Sequence, residues 1–127
     1  MLLDSDILIY SAQPAAPERA RIQSFLREHA EDAFFVSEIS RVEVYGFHAL
    51  SDREEDLLNQ VYNASTELSI TPVLARAVSL RRQRRGLKTP DALVAATALH
   101  YGLPLVTRNT KDFGQVKGLE VIDPLQP

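Results

Sequence analysis

The sequence of 127 residues has no cysteine, no tryptophan, one methionine and five glycines. Without cysteine there can be no disulfide, thiolate zinc site, iron–sulfur cluster or cysteine nucleophile. The few glycines form no G-x-G-x-x-G turn, P-loop or G-x-S-x-G elbow. His29, His48 and His100 are too scattered to supply metal-ligand spacing. Nor is there an excess of positive charge. Lys and Arg total 14 against 17 Asp and Glu, a net charge of −3. That excludes a uniformly basic nucleic-acid coat, though not an enzyme acting locally on nucleic acid. The nine aromatics, five Phe and four Tyr, are scattered and suggest core positions rather than a stacking platform. Tyr10, Tyr45 and Phe47 are candidates for a dimer surface. No apolar run approaches the roughly 20 residues that span a bilayer. The start, Met1-Leu-Leu-Asp4, has no basic region of the kind a signal peptide carries, so a cytoplasmic protein is expected.

What is present is an ordinary globular composition, 45% hydrophobic and 24% charged. One domain over residues 1–127 is expected, large enough to bury roughly two-thirds of its unfolded surface. Charge is unevenly spread. Glu28 to Glu67 holds ten acids against Arg41 and Arg53. Pro72 to Pro90 holds Arg76, Arg81, Arg82, Arg84, Arg85 and Lys88 with no acid. Each charge alone reads as part of a solvated helix face, but the run Arg81-Arg-Gln-Arg-Arg85 asks for an anionic partner.

Short apolar runs alternate with helical periods. Strands are predicted at Met1–Leu3, Ala33–Val36, Glu67–Ile70, Leu103–Val106 and Leu119–Ile122. Between them, Glu18–His29 carries an apolar helical stripe of Ile22, Phe25 and Leu26. Ser37 caps a helix with Ile39, Val42, Glu43, Gly46, Phe47 and Leu50 along one side. Ser51-Asp-Arg-Glu54 has the form of a capping box. Thr71-Pro72 starts another helix that Gly86 ends. Thr89-Pro90-Asp91 opens a helix apolar nearly all round, hence buried, ending at Gly102. This alternation predicts an α/β domain with a central, mainly parallel β-sheet flanked by helices on both faces. In such sheets ligands sit beyond the carboxyl ends of the strands, which singles out Asp4 and the turn Thr107–Asp112.

Four acids fall at strand ends or core-lining positions: Asp4, Glu43, Asp91 and Asp112. Each has an ordinary role open to it. Asp4 can cap a helix, Asp91 can favour a helix dipole, and Asp112 can serve a turn. Glu43 is harder to place so, because its neighbours are apolar. Burying several carboxylates without partners costs several kcal/mol each. No lysine or arginine is placed to neutralise all four, whereas Mg²⁺ or Mn²⁺ would.

These residues carry a resemblance. Leu2-Leu-Asp-Ser-Asp-Ile-Leu-Ile9, Val36-Ser-Glu-Ile-Ser-Arg-Val-Glu-Val-Tyr-Gly46, Leu87-Lys-Thr-Pro-Asp-Ala-Leu-Val-Ala-Ala-Thr-Ala98 and Leu103-Pro-Leu-Val-Thr-Arg-Asn-Thr-Lys-Asp-Phe113 resemble, in order and spacing, the blocks of PIN-domain proteins, above all VapC-type toxins. The resemblance puts Asp4, Glu43 and Asp91 at the family's first three acidic positions. The fourth falls in the family at either of two places, here Asn109 and Asp112, and only Asp112 is an acid. Asp6 stands where asparagine is common and adds a possible ligand, with Thr107 and Asn109 as helpers. The resemblance implies a Mg²⁺- or Mn²⁺-dependent endoribonuclease that leaves a 5′-phosphate and a 3′-hydroxyl. It also implies a VapB-like antitoxin partner and a homodimer. Asp4, Asp91 and Asp112 would hold metal directly or through water, with Glu43 a ligand or the base orienting water. Arg81, Arg82, Arg84, Arg85 and Lys88 would grip RNA or meet an acidic partner. Two alternatives stand beside this. One is a phosphatase of the haloacid dehalogenase type, with Asp4 as nucleophile in Asp4-Ser-Asp6. The other is a PIN-like module that binds RNA or antitoxin without cutting.

Overall fold

The computed structural model describes residues 1–126. Five short strands form one sheet: β1 (Leu2–Leu3), β2 (Phe35–Ser37), β3 (Thr66–Leu68), β4 (Leu105–Val106) and β5 (Val121–Ile122). They lie in the order β3-β2-β1-β4-β5, and every pairing is parallel. Seven α-helices connect and cover them: α1 (Ser5–Ala12), α2 (Arg19–Glu28), α3 (Glu38–Tyr45), α4 (Asp52–Asn63), α5 (Leu74–Gln83), α6 (Thr89–Tyr101) and α7 (Thr110–Phe113).

Successive strand residues point to opposite faces; four strands supply apolar side chains to both, and the edge strand β3 gives Leu68 to one. Leu2, Phe35, Leu105 and Val121 join the core under α5, α6 and α7. Leu3, Val36, Val106 and Ile122 join the core under α1, α2 and α4. Burial on both faces explains why the strands read as continuous apolar runs. Helix α3 contributes to both cores, through Ile39 on one side and Val44 with Tyr45 on the other. As expected, α6 is engulfed: Ala92 to Ala98 are all buried. Its alanines allow close approach, and Thr97 satisfies its hydroxyl by donating to the Leu93 carbonyl at 2.7 Å.

The capping box at Ser51 and Glu54 forms, with bonds of 3.2 and 3.3 Å. Three local expectations change. Helix α3 ends at Tyr45 and buries Ser40 and Val44, while Val42 is 68% exposed. A short 3-10 turn, Thr71–Val73, precedes α5 and takes up Pro72, so Thr71 is not a cap. Helix α5 stops at Gln83, before Gly86, and Lys88 rather than Thr89 occupies the N-cap of α6.

The order of strands places the site. From β1 the chain runs outward through β2 and β3, then crosses to β4 on the other side of β1. The carboxyl ends of β1 and β4 flank the point where the direction reverses, the place where open α/β sheets hold ligands. Asp4 follows β1 and Thr107 follows β4.

Gly102 ends α6 with φ of 65°, and a Cβ there would meet nothing within 4 Å. Gly102→Ala should therefore show backbone strain alone, a loss of about 1 kcal/mol and roughly 4 °C in Tm. A thermal melt checks this, and an unchanged Tm would contradict the assigned left-handed cap.

Candidate active site

Asp4 is the hub. It is only 7% exposed, and its extended backbone makes it the N-cap of α1. Its Oδ1 accepts from the Ser5 amide at 2.8 Å, and its Oδ2 accepts from Thr107 Oγ1 at 2.8 Å. Thr107 is fully buried and in turn accepts from the Asn109 amide at 3.0 Å. Asp6, in the first turn of α1, accepts from the Arg108 amide at 3.0 Å and lies 3.3 Å from Thr107 Oγ1. The loop after β4 is thus pinned to the loop after β1 through two carboxylates and one hydroxyl.

Glu43 reaches the same place by another route. Its residue is exposed, not on the core face, but Ser5 Oγ lies 2.7 Å from Glu43 Oε1 and 3.1 Å from the buried Ser40 Oγ. These two serines escaped the sequence reading. The signal available was a small polar residue directly after a strand, and another on the buried side of a helix. Asp91 sits half-buried in the first turn of α6. Asp112 lies exposed in α7, where Asn109 caps the helix. The Asp112 amide donates to Asn109 Oδ1 at 3.4 Å, and Asn109 Nδ2 donates to Asp112 Oδ2 at 3.1 Å.

The electrostatics show how these acids sense one another. Burial, then the Asp6 charge, pushes the Asp4 carboxyl up to about 7; Asp91 adds to the rise, while the bonds from Thr107 and Ser5 oppose it. Asp6 is raised by burial against its bonds with Arg108, Ile7 and Thr107. Asp91 is raised by burial and by the charges of Asp112, Glu43 and Asp6, with Lys88 offsetting part. Among the described residues, none of Asp4, Glu43, Asp91 and Asp112 forms an ion pair. Arg108, beside Asp6, directs its guanidinium toward Glu18 at 3.6 Å and Asp123 at 3.9 Å.

This donor set suits a hard divalent cation. It is made of oxygen ligands with surplus negative charge, and each bound carboxylate oxygen keeps a further lone pair. Among the described residues, no three acids converge closely enough to hold one ion by themselves. The fit is therefore to an ion that keeps part of its water shell, as Mg²⁺ does.

Of the basic run, Arg81 donates to the Leu87 carbonyl at 3.2 Å, and Arg84 donates to the Gln115 carbonyl and Oε1 at 2.8 and 2.7 Å. Those two brace the loop before α6. Arg82, Arg85 and Lys88 are exposed, and among the described residues none is in an ion pair.

A family model for the PIN domain matches residues 1–119. The chain belongs to the PIN-domain family. Solved structures share the architecture over nearly the whole chain. A chain of a toxin–antitoxin complex from Klebsiella pneumoniae superposes with a TM-score of 0.77 and 31% identity, covering 97% of this chain and 96% of that one. In fold alone, VapBC2 from Rickettsia felis, bound to a DNA fragment from their promoter, matches with a TM-score of 0.79 at 18% identity over 95% and 96% of the two chains. Ribonuclease VapC1 of Rickettsia felis is 49% identical over 43 residues, 34% of this chain and 32% of the relative. Ribonuclease VapC of Rickettsia bellii is 43% identical over 44 residues, 35% and 33% of the two. The matched segments span about a third of those curated relatives. No helix among the described residues is long and apolar enough to cross a membrane.

The raised Asp4 carboxyl has a consequence for stability. Its folded value of about 7 lies above its ordinary 3.8, so between those values the native state holds a proton that the unfolded chain has released. Metal-free protein therefore loses stability as pH rises from about 4 to 7. Asp4→Asn removes the titration and keeps the cap, since asparagine caps as well as aspartate. Its Tm should exceed the wild-type Tm by roughly 5 °C at pH 8 in metal-free buffer, an advantage that shrinks toward pH 4. A Tm difference that stays constant across this range would contradict the assignment.

Proposed function

We propose that this chain is a Mg²⁺- or Mn²⁺-dependent endoribonuclease, the toxin of a VapBC-type pair, restrained by a VapB-like antitoxin and acting as a homodimer in the cytoplasm. The observation that carries the proposal is the cluster of acids without basic partners at the reversal point of the sheet, joined through Asp4 and Thr107. The family supports it, as do relatives named as ribonucleases and as members of toxin–antitoxin complexes.

In this account Asp4, Asp91 and Asp112 would hold the ion, directly or through water, and Glu43 would be a further ligand or the base that orients the attacking water. A bound divalent ion lowers the pKa of water and neutralises charge that builds on a phosphodiester during displacement. The remaining work belongs to the chain. Thr107 and the Ser5 amide fix both oxygens of Asp4, so the carboxylate does not swing. Ser5 tethers Glu43 to the start of α1, at the same end of the sheet as Asp4. Asp6 holds the Arg108 amide and so sets the loop that carries Asn109 and Asp112. Exposed Arg82, Arg85 and Lys88 attract the RNA backbone, arginine forks matching phosphate oxygens. The alternative with Asp4 as a nucleophile gives Glu43 and its tether to Ser5 no role.

Cleavage of a single-stranded RNA in Mg²⁺ tests the proposal. Asp4→Asn and Asp91→Asn should reduce it to background, Glu43→Gln should lower kcat by about 100-fold or more, and EDTA should abolish it in the wild type. Wild-type rates in Asp4→Asn, or in EDTA, would overturn the metal assignment.

The basic segment makes a separable prediction. Arg82→Ala and Arg85→Ala should weaken RNA binding similarly across sequences and flatten the slope of log affinity against log salt by about 0.7 each. Binding measured by anisotropy over a salt series checks it. An unaltered slope would place these arginines elsewhere than on RNA.

A further inference from the structure

Helix α3 has a second working side. Glu43 faces Ser5 and the acid cluster, while Arg41 and Tyr45, four residues apart, share another face. That face closes a pocket of about 510 Å³ with α4 and the edge strand β3, lined by Arg41, Tyr45, Asn59, Tyr62, Asn63 and Glu67. Its size falls within the usual range for small-ligand sites.

The lining is unusual for a packing defect. None of these six side chains is aliphatic. Tyr45 and Tyr62 meet edge to face with centroids 5.2 Å apart. Arg41 holds Glu67 through Nε at 2.8 Å and lies over the Tyr62 ring at 6.0 Å. That leaves its two terminal nitrogens without a bond among the described residues. Tyr45 donates to Asn59 Oδ1 at 2.7 Å, so Asn59 keeps its amide donors. The Tyr62 phenol is buried without a hydrogen-bond partner among the described residues, a state that native structures seldom leave unexplained. Burial holds its ionisation above the ordinary tyrosine range. The charges of Glu67 and Tyr45 add to that, and so does the charge of Glu43, which places the pocket within electrostatic reach of the acid cluster. The two sides of α3 are one helix width apart, roughly 10 Å.

We propose that this pocket is a nucleobase subsite, taking an unpaired base of the RNA beside the cleaved bond. Tyrosine faces stack on bases of any sequence. The exposed amides of Asn59 and Asn63 then read the base edge, the way single-stranded RNA is usually recognised. Arg41 meets the adjoining phosphate with its free nitrogens. An amphipathic helical peptide would call for a hydrophobic groove, which these polar side chains do not make. The subsite deepens the ribonuclease proposal and rests on it for its biological role, but base binding can be measured separately.

The test uses the full chain without metal, titrated with AMP, GMP, CMP and UMP, with ribose 5-phosphate as control, while the side-chain amide signals of Asn59 and Asn63 are followed by NMR. The nucleotides should shift them and ribose 5-phosphate should not. Asn63→Ala, which removes an exposed amide at the end of α4, should weaken that binding about fivefold or more without lowering Tm. In mixed-sequence RNA it should redistribute the cut sites. Equal shifts with ribose 5-phosphate, or an unaltered Asn63→Ala, would overturn the subsite. If wild type cuts RNA while Asn63→Ala keeps the same affinity and cut sites, the subsite fails and the ribonuclease stands. If nucleotides bind as expected but no RNA is cut, the ribonuclease fails and the base pocket stands.

Discussion

Like charges held close together, offset only in part by Lys88 and Arg108, are the constraint around which this fold is arranged. Asp4 is 7% exposed at the end of the central strand, and Asp6 and Asp91 both raise its pKa. An uncompensated buried carboxylate is unfavourable by several kcal/mol. The chain offsets part of that with two donors to Asp4 and part by letting it keep a proton up to about pH 7. What remains is negative charge that the proposed cation would neutralise. Sites of this kind sacrifice stability for function.

Rigid surroundings make that possible. The strands are only two or three residues long, yet all but the edge strand β3 anchor both cores. Asp4 and Thr107 lie one residue beyond paired, buried positions, since Leu3 sits opposite Val106. The 2.8 Å bond between them therefore joins two strand ends whose spacing the sheet fixes. Asp91 is set by α6, the helix most enclosed by the core. Asp112 rides on the short α7, whose Phe113 is fully buried.

Much of this was legible in the sequence, and the exceptions have physical causes. Apolar runs located four of the five strands, and the short candidate Glu67–Ile70 overlapped β3. The Ser51–Glu54 box and the apolar α6 appeared as expected, because these are local signals. Glu43 was singled out from a face that the structure turns outward: α3 is too short for a stripe reaching Phe47 and Leu50, and its buried positions are Ser40 and Val44. Its link to the site is a serine 38 residues away, which no periodicity reveals. The Arg81–Arg85 run looked uniform in sequence, but only contacts with Leu87 and Gln115 distinguish the bracing arginines from the exposed ones. The aromatics gave no stacking platform when read along the chain, since Tyr45 and Tyr62 meet only once α3 lies against α4.

The account joins a family fold, a cluster of acids and a neighbouring pocket of tyrosines and amides through one claim, that the cluster at the carboxyl ends of β1 and β4 holds a divalent metal. Crystals soaked in Mn²⁺ and measured at its absorption edge test that claim most directly. The account predicts an anomalous peak about 2.1–2.2 Å from a carboxylate oxygen of Asp4, linked directly or through water to Asp91 and Asp112, and absent from Asp4→Asn crystals. A peak confined to other surfaces, or none beside Asp4 at saturating Mn²⁺, would contradict it.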